Sequence, residues 1–137
     1  MTHWFVDASV LLAREDADDV HHTAGRELQA GDATLSTLDL AYYEVCHVAV
    51  RAWRDAAAAA RLRGLVAAIA ADGGLVRGDE SLLVAAVQIA DQAGLSVYAA
   101  SYVAGARIAG AGLVSCDVRD LVSSNLAVTP QQATRTA

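Results

Sequence analysis

Four short apolar runs punctuate the chain, HWFV at 3–6, ATLSTL at 33–38, LVRG at 75–78 and GLVSCD at 112–117, with long stretches of helical patterning between them. This alternation constrains the fold more than any other feature. Strands alternating with helices build a parallel sheet with helices on both faces, so an α/β chain of three layers, α/β/α, around a central parallel sheet is expected. After HWFV, ASVLLAR reads as the first turns of a helix. DADDVHHTAGRELQAGD reads as a second helix, with acids in its first turn and a Gly near its end. DLAYYEVCHVAVRAWRDA has an apolar face from Leu40, Tyr43, Val45, Val48 and Trp53, and the Ala-rich helix after it closes at DGG. DESLLVAAVQIADQAG is capped by Asp79 and stopped by Gly94. A further helix follows Ser96, with Val97, Ala100, Val103, Ala104 and Ile108 on its apolar face. NLAVTP reads as a last short strand and the polar QQATRTA as a frayed tail.

A chain of 137 residues fits one domain, 1–137, with an ordered core at about 4–128 and the frayed tail at 131–137. Hydrophobic residues make up 55% and there is one Pro, so Ala-rich runs such as RDAAAAARLRGLVAAIAADGG favour helix over disorder. No apolar run approaches the roughly 18 residues of a membrane span. MTHWFVDASVLL is interrupted by Asp7 and has neither a basic leader nor a small-residue cleavage site, so no signal peptide is read there. Cys46 and Cys116 sit in apolar patterns without metal-type spacing, as reduced thiols of a cytoplasmic protein do. A cytoplasmic protein with no membrane association is expected.

The net charge is −6, and all ten basic residues are Arg. The absence of Lys excludes the Walker A phosphate loop, Schiff-base chemistry and the Asp-plus-Lys receiver site. An acidic chain does not hold nucleic acid by its overall field, although a local Arg patch can grip phosphate bidentately.

In an open α/β sheet the functional crevice lies beyond the carboxyl ends of the strands. Asp7 and Asp117 each directly follow an apolar strand, at HWFVD and LVSCD, and are therefore placed to converge. Each alone is explained as a helix N-cap; two at one edge point further. Glu44 lies among apolar residues on a helix, where a carboxylate is costly unless paired, hydrogen-bonded or bound to a cation. Arg51 or simple exposure would also account for it. Carboxylates without Lys, His or Cys partners suit a hard divalent cation, Mg²⁺ or Mn²⁺, which would activate a water and neutralise a phosphodiester. His3, His21, His22 and His47 show no metal spacing and read as surface or core residues.

The order FVDASVLL, then a helix carrying YYEV, then GLSVYAASYVAGARIAGAGLVSCD, closely resembles the PIN-domain ribonucleases, and among them the VapC-type toxins of toxin–antitoxin pairs. The resemblance spans about residues 4 to 128. It implies a compact α/β/α fold and about four acids that bind one or two Mg²⁺ or Mn²⁺ ions, about 3.5 to 4 Å apart when there are two, and cleave RNA to a 5′-phosphate and a 3′-hydroxyl. Carried over by motif, Asp7 is the first acid, Glu44 the second and Asp117 the fourth. Ser9 in DAS and Ser115 in VSCD match supporting hydroxyl residues, and Asp120 contributes indirectly.

The third acid is absent. Where the family reads YDA this chain reads YAA, so Ala99 stands at the aspartate's position. A carboxylate there would be favoured by the positive helix N-terminus and by a capping box with Ser96. The resemblance therefore implies a metal-dependent endoribonuclease toxin in an inactivated form. Its origin is an inactivating substitution or a relative that has lost the residue. The rival is a dead PIN-fold module that binds RNA or a partner without cutting. An Asp-nucleophile phosphatase built on FVDAS would want a second acid where Ser9 stands. The resemblance also implies a VapB-type antitoxin whose C-terminal segment crosses the acidic pocket, an RNA substrate and a homodimer. Arg14, Arg51 and Arg119 are candidates to hold RNA or are solvated surface residues. Leu82, Val84, Val87 and Ile89 are candidates for core or dimer interface.

Overall fold

The computed structural model describes residues 2–135. The elements run β1 (His3–Val6), α1 (Ala8–Glu15), α2 (His22–Ala30), β2 (Thr34–Leu38), α3 (Leu40–Arg51), α4 (Ala56–Ala71), β3 (Leu75–Val76), α5 (Glu80–Ala93), α6 (Val97–Ala109), β4 (Gly112–Val114) and α7 (Pro130–Arg135), with one wide π-type turn at Val118–Val122. The sheet order is β3-β2-β1-β4 and every pairing is parallel. Steps from β1 to β2 and from β2 to β3 move one way across the sheet, and the return from β3 to β4 moves the other way. Right-handed crossovers then put α1 to α4 on one face and α5 with α6 on the other, which is the expected three-layer α/β arrangement. The packing agrees: α4 lies against β2 and β3, while α6 crosses β1, β2 and β4 with α5 stacked on it.

Burial decides which face of each helix is core. In α5 the buried residues are Leu82, Ala86 and Ile89, one turn apart, while Val84 and Val87 face outward. Helix α6 is buried almost all round from Ala100 to Ala106, because it lies between the sheet and α5. Val97 and Ile108, expected on its apolar face, are exposed at its two ends. The close approach of α6 to β1 needs Gly105, where a Cβ would come within 2.6 Å of the Phe5 ring. Gly94 ends α5 in the left-handed conformation at φ 68°, as its position after the periodic run predicts.

Three local expectations are corrected. The acids of DADDV do not open a helix; they form a turn in which Asp16 and Asp19 accept from the N–H groups of Asp18 and His21, and α2 begins only at His22. Short polar side chains near the chain favour such turns over helix. NLAVTP is not a strand but a single parallel bridge between Val114 and Val128. The tail is not frayed over 130–135: α7 packs on α2 with Pro130 and Ala133 buried, and His21 Nδ1 meets Gln131 Oε1 at 3.0 Å. Positions 136 and 137 lie outside the described residues. The missed signal was TPQQ. Thr129 and Gln132 cap each other reciprocally, at 3.1 and 2.8 Å, with Pro130 at the first helical position.

Both cysteines are free and half-buried. Among the described residues no single helix is long and apolar enough to cross a membrane.

Candidate active site

Because all four strands are parallel, their carboxyl ends share one edge, and the residues after β1 and β4 meet there. Asp7 is 7% exposed and caps α1, accepting from the Val10 N–H at 3.3 Å. Its two carboxylate oxygens are each taken by a hydroxyl: Ser9 donates to Oδ1, and Ser115 donates to Oδ2 at 2.5 Å. Those hydroxyls are themselves fixed by β4's continuation, since Ser9 Oγ accepts from the Cys116 N–H at 2.9 Å and Ser115 Oγ from the Asp117 N–H at 3.0 Å. Two serines thus lock the β1 and β4 loops together around one carboxylate.

Asp117 sits at the rim, half-exposed, and caps the π-type turn by accepting from the Asp120 N–H at 3.0 Å. The N-cap explanation of both acids is therefore correct as far as it goes. It does not explain the burial of Asp7. Burial pushes the Asp7 carboxyl up to about 6, against the pull of its serine and backbone hydrogen bonds, and the Glu44 charge adds to the rise. An ionised Asp7 is thus under-compensated by the protein alone.

Glu44 is held by Tyr102, whose phenol donates to Oε1 at 2.5 Å. Tyr102 is 3% exposed and its ring meets Phe5 edge-on at 6.5 Å. Its hydroxyl is pushed far above the ordinary tyrosine range by burial first and by the Glu44 charge second, so it stays a fixed donor. Sequence reading missed Tyr102. The available signal was its place three residues after position 99, which puts both on one side of α6.

Ala99 occupies the third residue of α6, half-buried. Its N–H donates to Ser96 Oγ at 3.0 Å, so half of a capping box is made and the reciprocal half has no side chain to make it. Asp120, beside Asp117, is exposed and lies 3.8 Å from Arg119, itself almost fully exposed. Arg14 is half-buried, pairs with Glu15 at 3.5 Å and lines a pocket with Thr34 and Leu35 at the amino end of β2, away from the acids. Arg51 is seven residues beyond Glu44, about 10 Å along the helix axis.

The donor chemistry suits a hard cation, with carboxylate oxygens and a buried charge lacking a counter-ion. Among the described residues no three His, Cys, Asp or Glu side chains are grouped to hold a metal ion. Glu44 is near enough for its charge to act on the hydroxyl-locked Asp7, Asp117 follows β4 at the same edge, and position 99, at the start of α6, carries only a methyl group.

The PIN-domain family model matches residues 4–122. The chain belongs to the PIN-domain family. Solved structures share the PIN fold across nearly the whole length. A toxin–antitoxin complex from Klebsiella pneumoniae aligns with a TM-score of 0.71 at 15% identity, covering 92% of this chain and 96% of that one. PAE2754 from Pyrobaculum aerophilum aligns with a TM-score of 0.70 at 24% identity, covering 98% and 88%. VapC20 of Mycobacterium tuberculosis, a sarcin–ricin-loop-cleaving toxin, aligns with a TM-score of 0.63 at 21% identity, covering 82% and 86%. At these identities the likeness is one of fold. No curated protein matches the sequence.

Proposed function

We propose that this PIN domain is an endoribonuclease toxin of the VapC type whose divalent-metal centre is impaired by Ala99. The observation that carries the reading is the Asp7 cluster. A buried carboxylate fixed by two hydroxyls from adjacent strand ends, raised toward neutrality and facing Glu44, is expensive to maintain for fold stability alone. Mg²⁺ or Mn²⁺ at such an edge supplies charge for a phosphodiester and an activated water. Asp7, Glu44 and Asp117 are the side chains that would hold it, with a carboxylate at position 99 needed to complete the set.

The chain's own residues do the positioning. Ser9 and Ser115 fix both oxygens of Asp7, so that carboxylate cannot rotate. Ser115 also orients Asp117 through its N–H, coupling the deep acid to the rim acid. Tyr102 keeps Glu44 in one rotamer by a donor that burial prevents from ionising. Asp120 gives the turn after Asp117 its first N–H contact and acts only through Asp117. An acidic edge of this kind also suits a VapB-type antitoxin presenting an Arg, and a homodimer is the assembly proposed.

The deciding experiment adds Mn²⁺ and a mixture of tRNA, rRNA and mRNA to the Ala99→Asp form. Endonucleolytic cuts leaving 5′-phosphates are expected, with a much weaker response from the Ala99 chain. Absence of any cleavage by the restored form overturns the nuclease reading. The second reading, a dead PIN module that binds RNA or a partner, is favoured by one observation, the lack of a three-ligand grouping among the described residues.

A further inference from the structure

Helix α3 carries a stripe, Leu40, Tyr43, Glu44, His47, Val48 and Arg51, at intervals of three and four residues, which is one helix face. That face is not core. Leu40, Tyr43, Glu44, His47, Val48 and Tyr98 line an open cavity of about 530 Å³, and Tyr43 and His47 also line the adjoining one of about 460 Å³ that ends at Arg51 and Arg63. A continuous groove therefore runs along α3 from Glu44 to two guanidiniums.

Tyr43 is 77% exposed and Tyr98 64% exposed. The chain has four tyrosines; three, Tyr42, Tyr43 and Tyr98, line this groove and the fourth, Tyr102, holds Glu44. The two exposed rings also directly precede Glu44 and Ala99, so they flank the acid edge from two different helices. Arg14, Arg61 and Arg119 are engaged with carboxylates; Arg51 and Arg63, like the chain's five other arginines, are in no ion pair among the described residues. What sets these two apart is their place: on a chain of net charge −6 they stand together at the end of an aromatic groove.

We propose that this groove is the track for single-stranded RNA, with Tyr43 and Tyr98 stacking unpaired bases and Arg51 and Arg63 holding the backbone phosphates that lead to Glu44. Aromatic platforms joined to a basic groove are how single strands are gripped, since every base has a π-face and the phosphates need only point charges. A duplex cannot use the tyrosines, because its bases already stack on one another. The proposal rests on the nuclease reading for its substrate and names the strandedness and the residues that read it. The groove begins beside Glu44 at the acid edge and ends on two guanidiniums, the order in which a phosphate backbone led to that edge would meet them, so RNA is the occupant proposed.

The test measures fluorescence anisotropy of a labelled eight-nucleotide oligoadenylate, and of the same strand in a duplex, against the full chain in EDTA. Tighter binding of the single strand is expected. Tyr43→Ala and Tyr98→Ala should each weaken it about tenfold, with Tyr43→Phe retaining affinity, because the ring rather than the hydroxyl stacks. Arg51→Gln together with Arg63→Gln should flatten the salt dependence by about 1.4 in log–log slope. Both tyrosines are exposed, so folding is not at stake. Unchanged affinity in the tyrosine variants, preference for duplex, or no binding by the parent each overturns the proposal. So does a dimer that becomes a monomer on Tyr43→Ala with RNA affinity unaltered, which assigns the groove to a second copy. Ala99→Asp separates the two readings. Stacking-dependent binding without cleavage sinks the nuclease and leaves the track, while cleavage indifferent to Tyr43 and Tyr98 does the reverse.

Discussion

Helices α6 and α7 begin with the same device and complete it differently. At α7, Thr129 and Gln132 cap each other in both directions; at α6, Ser96 accepts from Ala99 and nothing reaches back. Yet α6 is the central helix, buried through Ala100 to Ala106, and α7 is a short peripheral one. The difference teaches that packing holds α6, so the empty third position costs little in stability. On the proposed reading, a carboxylate there would serve the chemistry and not the fold.

The largest expected effect tests that directly. Ala99→Asp should raise Mn²⁺-dependent RNA cleavage on the order of 10²–10³-fold, the scale on which one electrostatic stabiliser acts in a transition state. Initial rates on a defined RNA, with Asp7→Asn added to abolish the gain, check it. If Ala99→Asp changes stability but not rate, position 99 is only a cap and the contrast with α7 collapses.

Next is the buried charge of Asp7. Asp7 is raised from 3.8 to about 6 in the folded state, so the fold binds its proton more tightly than the unfolded chain does. Stability from this group is therefore fully present below about pH 4 and is lost as pH rises through about 6. Asp7→Asn should stabilise the metal-free protein by up to about 3 kcal/mol at pH 8 and by almost nothing at pH 3.5, read from urea unfolding at both values. Equal effects at the two pH values would mean that burial does not penalise this carboxylate.

Ser115→Ala removes a buried donor to Asp7 and the acceptor of the Asp117 N–H. A loss of about 1–3 kcal/mol is expected, with Asp7 titrating still higher because a hydrogen bond that lowers it has gone. Chemical denaturation and carboxyl NMR titration measure the two consequences separately. The smallest effects complete the comparison of the helix starts. Ala99→Gln should add about 0.5 kcal/mol by closing the box without a charge, and Gln132→Ala should remove about as much, neither altering RNA cleavage. A cost of several kcal/mol from Gln132→Ala would show that α7 is integral to the core.

Much of this was legible from local pattern. The strands after which Asp7 and Asp117 fall, the cap at Asp79 and the stop at Gly94 are all short-range events, readable because capping and chain reversal depend on neighbouring residues. Where sequence reading erred, a distant contact decided. Val97 and Ile108 fit the α6 stripe but lie at its ends, beyond the sheet that covers the middle. The tail looked polar and loose because its anchor, His21, is 110 residues away. Arg14 looked near Asp7 in sequence, yet a helix of eight residues carries it to the opposite end of the sheet.

The sequence by itself determined the alternation that makes a parallel sheet, the two acids at its carboxyl edge and the half-made cap at Ser96 and Ala99, because periodicity, caps and motif spacing are written within a few residues of each site. Only the tertiary structure decided that two serines seize Asp7, that Tyr102 holds Glu44, and that Tyr43 and Tyr98 share one groove. Those facts depend on which side chains from separate crossovers face one another, and that is fixed by sheet order and burial rather than by any local pattern.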